Sequence, residues 1–131
     1  MLHKFITIFA ILLLVSCGED KTDYEALAAS EAAKEYYSSL TQGRSDEFIR
    51  GFARLKDYPE ECRTEFGRNT DDFIKVQKER HGGITAVEVS STERDSINNS
   101  INVFLSLSYG DSTVSRVVVP MVKDSDKWLM K

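Results

Sequence analysis

A helical spacing of apolar residues dominates the first half of the chain beyond residue 22. The spacing of three or four predicts an amphipathic helix whose inward positions are Ala26, Ala29, Ala33, Tyr36, Tyr37 and Leu40. Thr22 and Glu25 match the capping box that opens a helix, with Thr22 as the N-cap. Gln42-Gly43 then provides the residues that commonly end one.

Three further helices are predicted between residues 45 and 83. The first begins at Ser45 and has an apolar face made of Phe48, Ile49, Phe52 and Leu55. A short helix opens at Pro59, because proline is favoured at a first helical position, and Gly67-Arg68-Asn69 interrupts it. Thr70 caps the last helix, which ends at His81-Gly82-Gly83.

From Ile84 onward the pattern changes to an alternation of period two, rich in Val and Ile, which is typical of strands. Strands are predicted at 84–92, 101–109, 113–122 and 127–130, with turns at 95–99, 110–111 and 124–126. Pro120 requires an edge or a bulge in the third strand. Helices followed by an antiparallel meander of about four strands predict an α+β domain.

The N-terminal residues have a different character. Lys4 precedes an apolar run at 5–15, which is shorter than the ~20 residues that span a membrane as a helix, and these features are typical of a cleaved export signal. Leu14-Val15-Ser16-Cys17 resembles the lipobox of bacterial lipoproteins, which implies cleavage before Cys17 and lipidation of its sulfur. The alternatives are a buried N-terminal helix or an ordinary signal peptide with a chance cysteine.

The expected organisation is therefore a lipoprotein signal at 1–16, a lipidated tether at 17–22 and one folded domain at 23–131. The resemblance to lipoproteins also implies a location in the cell envelope. Gly18 follows the cysteine where an Asp would retain the protein at the inner membrane, so the lipid anchor is expected in the outer membrane.

Charge and cysteine content narrow the range of functions. Loss of Lys4 with the signal moves the formal net charge from −4 to −5, and the remaining cations form no basic stripe, so nucleic acid is not expected as a partner. With Cys17 lipidated, Cys62 is the only thiol left and an intramolecular disulfide is impossible. We expect Cys62 to be a buried apolar residue; an intermolecular bridge and a nucleophile are the alternatives.

The sequence predicts no catalytic residue, metal site or cofactor. His81 is the single histidine of the mature chain, so a multi-histidine zinc site is excluded. Its position at a helix end predicts a capping role, because Asp71 and Asp72 lie too far along the same helix to orient it. Those two acids suit the first turn of a helix, and Asp124 and Asp126 suit a turn rather than a calcium loop.

The order of elements resembles the nuclear transport factor 2-like superfamily, and in particular its bacterial lipoproteins with an uncharacterised, lumazine-binding-like domain. The matching residues are Tyr36-Tyr37, Gly82-Gly83-Ile84 through Val89, and Asp126-Lys127-Trp128-Leu129. The resemblance covers about residues 23–131. It implies a strongly bent sheet wrapped around the first helix, forming a cone with a cavity at its open end.

Aromatic residues are more numerous than one small core needs, so part of them is expected to line that cavity. The candidates are Tyr36, Tyr37, Phe48, Phe52, Tyr58 and Trp128. Tyr36 and Tyr37 differ by about 100° around the helix, so one is expected to pack and the other to border the cavity.

The favoured function is a lipid-anchored, non-catalytic module that binds a small apolar ligand or a partner protein of the envelope. One alternative is a small isomerase or hydrolase-like enzyme that uses Asp and Tyr in the cavity. Another is a structural accessory that docks an envelope protein through its sheet. A homodimer is compatible with each of them.

Overall fold

The computed structural model describes residues 23–131, so the export signal, Cys17 and the predicted cap Thr22 lie outside the described residues. The helical half contains α1 (Tyr24–Thr41), α2 (Ser45–Arg50), a 3-10 turn at Arg54–Asp57 and α3 (Glu60–His81). The strands are β1 (Ile84–Asp95), β2 (Ser100–Tyr109), β3 (Val114–Asp124) and β4 (Lys127–Met130). They form one antiparallel sheet in the order β1-β2-β3-β4. The predicted α+β class is confirmed.

The core lies between α1 and one face of the sheet. Strand β2 alternates as predicted and turns its buried residues to this face: Ile101, Val103, Leu105, Leu107 and Tyr109. Val119 and Met121 of β3 continue the same layer beside Val103 and Ile101. Helix α1 contributes Ala29 and Ala33, which have no exposed surface, because their small side chains let the helix approach the sheet closely.

Two irregularities interrupt the pairing of β1 with β2, between Ile84 and Ala86 and between Val89 and Ser91. Bulges of this kind bend a strand and increase its twist. The predicted face with Val87 and Val89 pairs with Leu107 and Leu105. Val87 is buried there, whereas Val89 is 37% exposed.

Pro120 lies on β3, an inner strand of the sheet with a regular register at this point, so the predicted edge or bulge is not found. Pro120 pairs with Asn102 on β2, and on its other side its carbonyl accepts a hydrogen bond from Lys131 N at 2.9 Å, just beyond the end of β4. The proline is tolerated where the β3–β4 ladder ends, because the last paired residue of β3 on that side is Met121.

Helix α3 is continuous through Gly67, so the predicted break there is wrong. A Cβ at Gly67 would lie 3.1 Å from Cδ1 of Ile49, which shows that the glycine allows α3 to pass closely over α2. Thr70 is not a cap either, since its hydroxyl donates to the carbonyl of Phe66 at 2.9 Å within the helix. Packing overrides the low helix propensity of glycine at this point.

The other helix ends also differ in detail from the prediction. Asp23 caps α1, its side chain accepting from Ala26 N at 3.1 Å. Helix α2 ends at Arg50, and the next residues instead pair with the last strand: Met130 N donates to Gly51 O at 2.6 Å and Met130 O accepts from Ala53 N at 2.8 Å. This pairing carries Phe52 out of the predicted helical face.

Cys62 is exposed in the first turn of α3, so the expectation of a buried thiol is wrong. Thr70 is the one buried residue of this 22-residue helix. Within residues 23–131, no helix has the length and apolar character needed to cross a membrane.

Candidate ligand-binding cavity

A cavity of about 650 Å³ lies between α3 and the sheet. The sheet and the first two helices provide mostly apolar walls: Tyr37, Leu40, Phe48, Leu107, Tyr109, Ser115 and Val117. Helix α3 provides a mixed wall of aromatic and polar side chains: Phe66, Asn69, Thr70, Phe73, Gln77 and His81. Arg116 touches the rim, but it pairs with Ser106 on the outer face of the sheet.

The cavity exists because α3 contacts the core through few side chains: Phe66 and Ile74 pack against it, and Thr70 is the one buried residue of the helix. Near its start, Phe66 packs against Phe52 with ring centroids 5.3 Å apart, and Gly67 lies over α2. Along the middle, Phe73 and Val76 are 39% and 36% exposed. A helix that buries so little apolar surface leaves an open space beside the sheet rather than a filled core.

The end of α3 is held by close contact with the β2–β3 turn. Gly82 ends the helix in the left-handed conformation, with φ of 78°. A Cβ at Gly110 would lie 2.8 Å from the carbonyl oxygen of Gly82, so both backbones need glycine here. Asp111 N donates to His81 O at 2.9 Å, and Gly110 N donates to Gly83 O at 3.0 Å. Backbone contacts therefore fix the turn against the helix end.

This contact brings His81 and Asp111 together, with Nδ1 of His81 2.7 Å from Oδ2 of Asp111. The other oxygen of Asp111 accepts from Thr113, at 3.0 Å from the backbone N and 2.6 Å from the hydroxyl. The Thr113 hydroxyl and then the His81 ring lower the pKa of Asp111 to about 2. An ionised carboxylate only accepts hydrogen bonds, so Nδ1 of His81 carries the proton.

The expectation that His81 has no carboxylate partner is therefore wrong. Its side chain binds Asp111 rather than the terminal carbonyls. The glycine backbone caps the helix instead, with Gly82 N donating to Lys78 O at 3.2 Å and Gly83 N donating to Gln77 O at 3.1 Å. The predicted strand order could have indicated that His81 and Asp111 meet. Because β1 and β2 are antiparallel, Ile84 pairs with Tyr109, so the residues just before β1 must meet those just after β2.

The six aromatic candidates separate into two groups. Tyr37 and Phe48 line the cavity, and burial raises the pKa of the Tyr37 hydroxyl, which keeps it protonated as a donor. Phe52 lies behind them, its ring 5.2 Å from that of Phe48.

The remaining three lie away from the cavity. Tyr36 packs over Gly51 and donates its hydroxyl to the carbonyl of Trp128 at 2.9 Å. Trp128 itself is half-buried and borders a shallow depression beside Arg94, and Tyr58 is 46% exposed.

The cavity lining is free of carboxylates as far as residues 23–131 describe it. The same part of the chain contains no cluster of three His, Cys, Asp or Glu residues that would hold a metal ion. Aromatic rings, amides, hydroxyls and one imidazole are the groups that face the space. Such a lining suits noncovalent binding of an organic molecule, with a few polar groups to orient it.

The chain matches no family model, and no curated protein matches it in sequence. Among solved structures it is similar to a Campylobacter jejuni protein provisionally described as an NTF2-like transpeptidase, where NTF2 is nuclear transport factor 2. The TM-score is 0.59 at 15% identity, and the match covers 83% of this chain and 97% of that chain. The fold is thus the NTF2-like α+β fold, whose members carry unrelated functions.

Proposed function

We propose that this protein is a lipid-anchored protein of the cell envelope that binds a small, mainly apolar molecule in the cavity beside α3. The observation that carries the proposal is the unfilled space of about 650 Å³ with aromatic and aliphatic walls. Its volume is within the range of about 300–1,000 Å³ that is typical of small-molecule sites. A purely structural module would gain stability by filling such a space with side chains.

Blocking the cavity from the sheet side tests this proposal. Val117 lines the cavity, whereas its neighbour Val118 points to the outer face and is 53% exposed. Val117→Trp should weaken binding of the apolar fluorophore N-phenyl-1-naphthylamine at least about tenfold, because the indole occupies the ligand space. Val118→Trp is the matched control and should bind like the wild type. Equal affinity of the two variants would place the binding site elsewhere.

The lipid anchor is proposed from the sequence of the signal and Cys17, which precede the described residues. Growth with an alkyne analogue of palmitate should label the wild-type protein and the control Cys62→Ala, and should not label Cys17→Ala. Fractionation should find the labelled protein in the outer membrane, as Gly18 implies. A Cys17→Ala protein that remains labelled would exclude the lipoprotein proposal.

A small enzyme is the second candidate, and the His81–Asp111 pair is the observation that favours it. Pairs of this kind orient general bases in many enzymes. The Asp–Tyr mechanism expected from the sequence has less support, since the described cavity lining includes tyrosines and no carboxylate. Turnover of a bound ligand that is lost in His81→Phe would favour the enzyme over the binding module.

A further inference from the structure

The polar groups of the cavity follow one row along α3. Asn69, Phe73, Gln77 and His81 are four residues apart and so lie on one face of the helix, and all four line the cavity. From Asn69 to His81 the row is about 18 Å long at 1.5 Å per residue. The opposite wall is mainly apolar. The space is therefore long, with an imidazole at one end.

The orientation of that imidazole determines which of its atoms a ligand can reach. Nδ1 is occupied by Asp111, which does not belong to the cavity lining. Because His81 lines the cavity and its Nδ1 is bound to Asp111, Nε2 is the ring nitrogen that remains available to a ligand. Since Nδ1 carries the proton in the neutral ring, Nε2 has a lone pair and accepts hydrogen bonds.

We infer that Nε2 of His81 accepts a hydrogen bond from the ligand, and that the ligand is an elongated molecule with an apolar body and a terminal hydroxyl group. This inference rests on the proposed binding function and specifies its substrate class. The apolar body follows from the aromatic and aliphatic walls, and the described lining has no carboxylate that would pair with a cationic ligand.

Two probes that differ only at the terminal group test the inference. We expect 4-hydroxystilbene to bind the wild-type domain about tenfold more tightly than 4-methoxystilbene at pH 8, the size of effect expected for one hydrogen bond. His81→Phe keeps a ring of similar size and removes the acceptor. It should reduce the preference to about one, and measurable binding of 4-methoxystilbene would report that the site is folded.

Glu79→Gln is the control, because Glu79 is exposed in the same last turn of α3 and does not line the cavity, so the tenfold preference should be retained. Asp111→Asn should lower the preference without abolishing it, since Asp111 positions the ring and does not touch the ligand. Equal binding of the two probes to the wild type, or a preference retained in His81→Phe, would overturn the inference and leave cavity binding intact. Failure of both probes to bind would overturn the proposed function and this inference together.

Discussion

Helices α1 and α3 both lie beside the sheet, yet they relate to it in opposite ways. Helix α1 buries Ala29, Ser30, Ala33, Ser39 and Leu40 in its 18 residues. Helix α3 is longer, at 22 residues, and buries Thr70 alone. The first helix is part of the core, whereas the second contacts the core through few side chains and covers an open space.

This difference separates the parts of the molecule that stabilise the fold from those that form the cavity. The α1 side contains small residues and tightly packed aliphatic chains, where the loss of a single methylene group lowers the stability of the fold. The α3 side contains large residues that are only partly covered, such as Phe73 and Val76. Substitutions on the two sides should therefore have effects of different size on stability.

Truncation of a core residue should produce the largest effect. Leu105 has no exposed surface, so Leu105→Ala is expected to lower the free energy of unfolding by about 2–5 kcal/mol. Phe73→Ala removes more atoms but from a side chain that is 39% exposed, and it should cost less than about 1.5 kcal/mol. Urea unfolding of the two variants checks this. A larger loss for Phe73→Ala would mean that α3 is as tightly packed as α1.

The contact between Gly82 and Gly110 is the place where the α3 side is tightly packed. Gly110→Ala should therefore destabilise the protein by about 1–3 kcal/mol, because its Cβ would lie 2.8 Å from the Gly82 carbonyl oxygen. Ser112→Gly in the same turn is the control. Ser112 has φ of 70°, so glycine would relieve backbone strain in the folded state but would also raise the entropy of the unfolded chain. The two effects should nearly cancel, and the free energy of unfolding should change by less than about 0.5 kcal/mol. Equal effects of the two substitutions would exclude a close contact at Gly110.

Lowering the pH should weaken the same contact through Asp111. Its pKa in the folded protein is about 2, below the ordinary value of 3.8. The unfolded chain therefore binds the proton first, and the stabilisation that is present above about pH 4 is lost as the pH falls toward 2. The difference in urea midpoint between the wild type and Asp111→Asn should shrink over this range. A difference that stays constant from pH 5 to pH 2 would show that the carboxylate charge contributes nothing.

Most of the fold could be predicted because it depends on local signals. Alternation in β2 identifies Ile101 to Tyr109 as a half-buried strand, and the turns at 95–99 and 110–111 set the meander. The break predicted at Gly67 failed for a physical reason. Glycine has low helix propensity wherever it occurs, and only the close passage of Ile49 explains why it suits this helix.

The site was harder to predict because its main contacts join residues that are distant in sequence. His81 and Asp111 are 30 residues apart and meet through the antiparallel pairing of β1 and β2. The helical position of His81 indicates a cap, because Asp71 and Asp72 on the same helix lie too far along it to reach the ring. Tyr37 and Phe48 could be proposed for the cavity, since aromatic excess is visible in composition, but the space itself results from how little α3 packs.

The smallest effect on stability is expected at Cys62, in the first turn of α3. An exposed side chain without close packing contributes little, so Cys62→Ser should change the free energy of unfolding by less than about 0.5 kcal/mol. For the same reason a maleimide reagent should label Cys62 about as fast in the native protein as in denaturant. Slow native labelling that becomes fast on dilution would indicate that a second copy or another partner covers this end of α3. The contrast between the two helices would then apply to the isolated chain and not to its assembly.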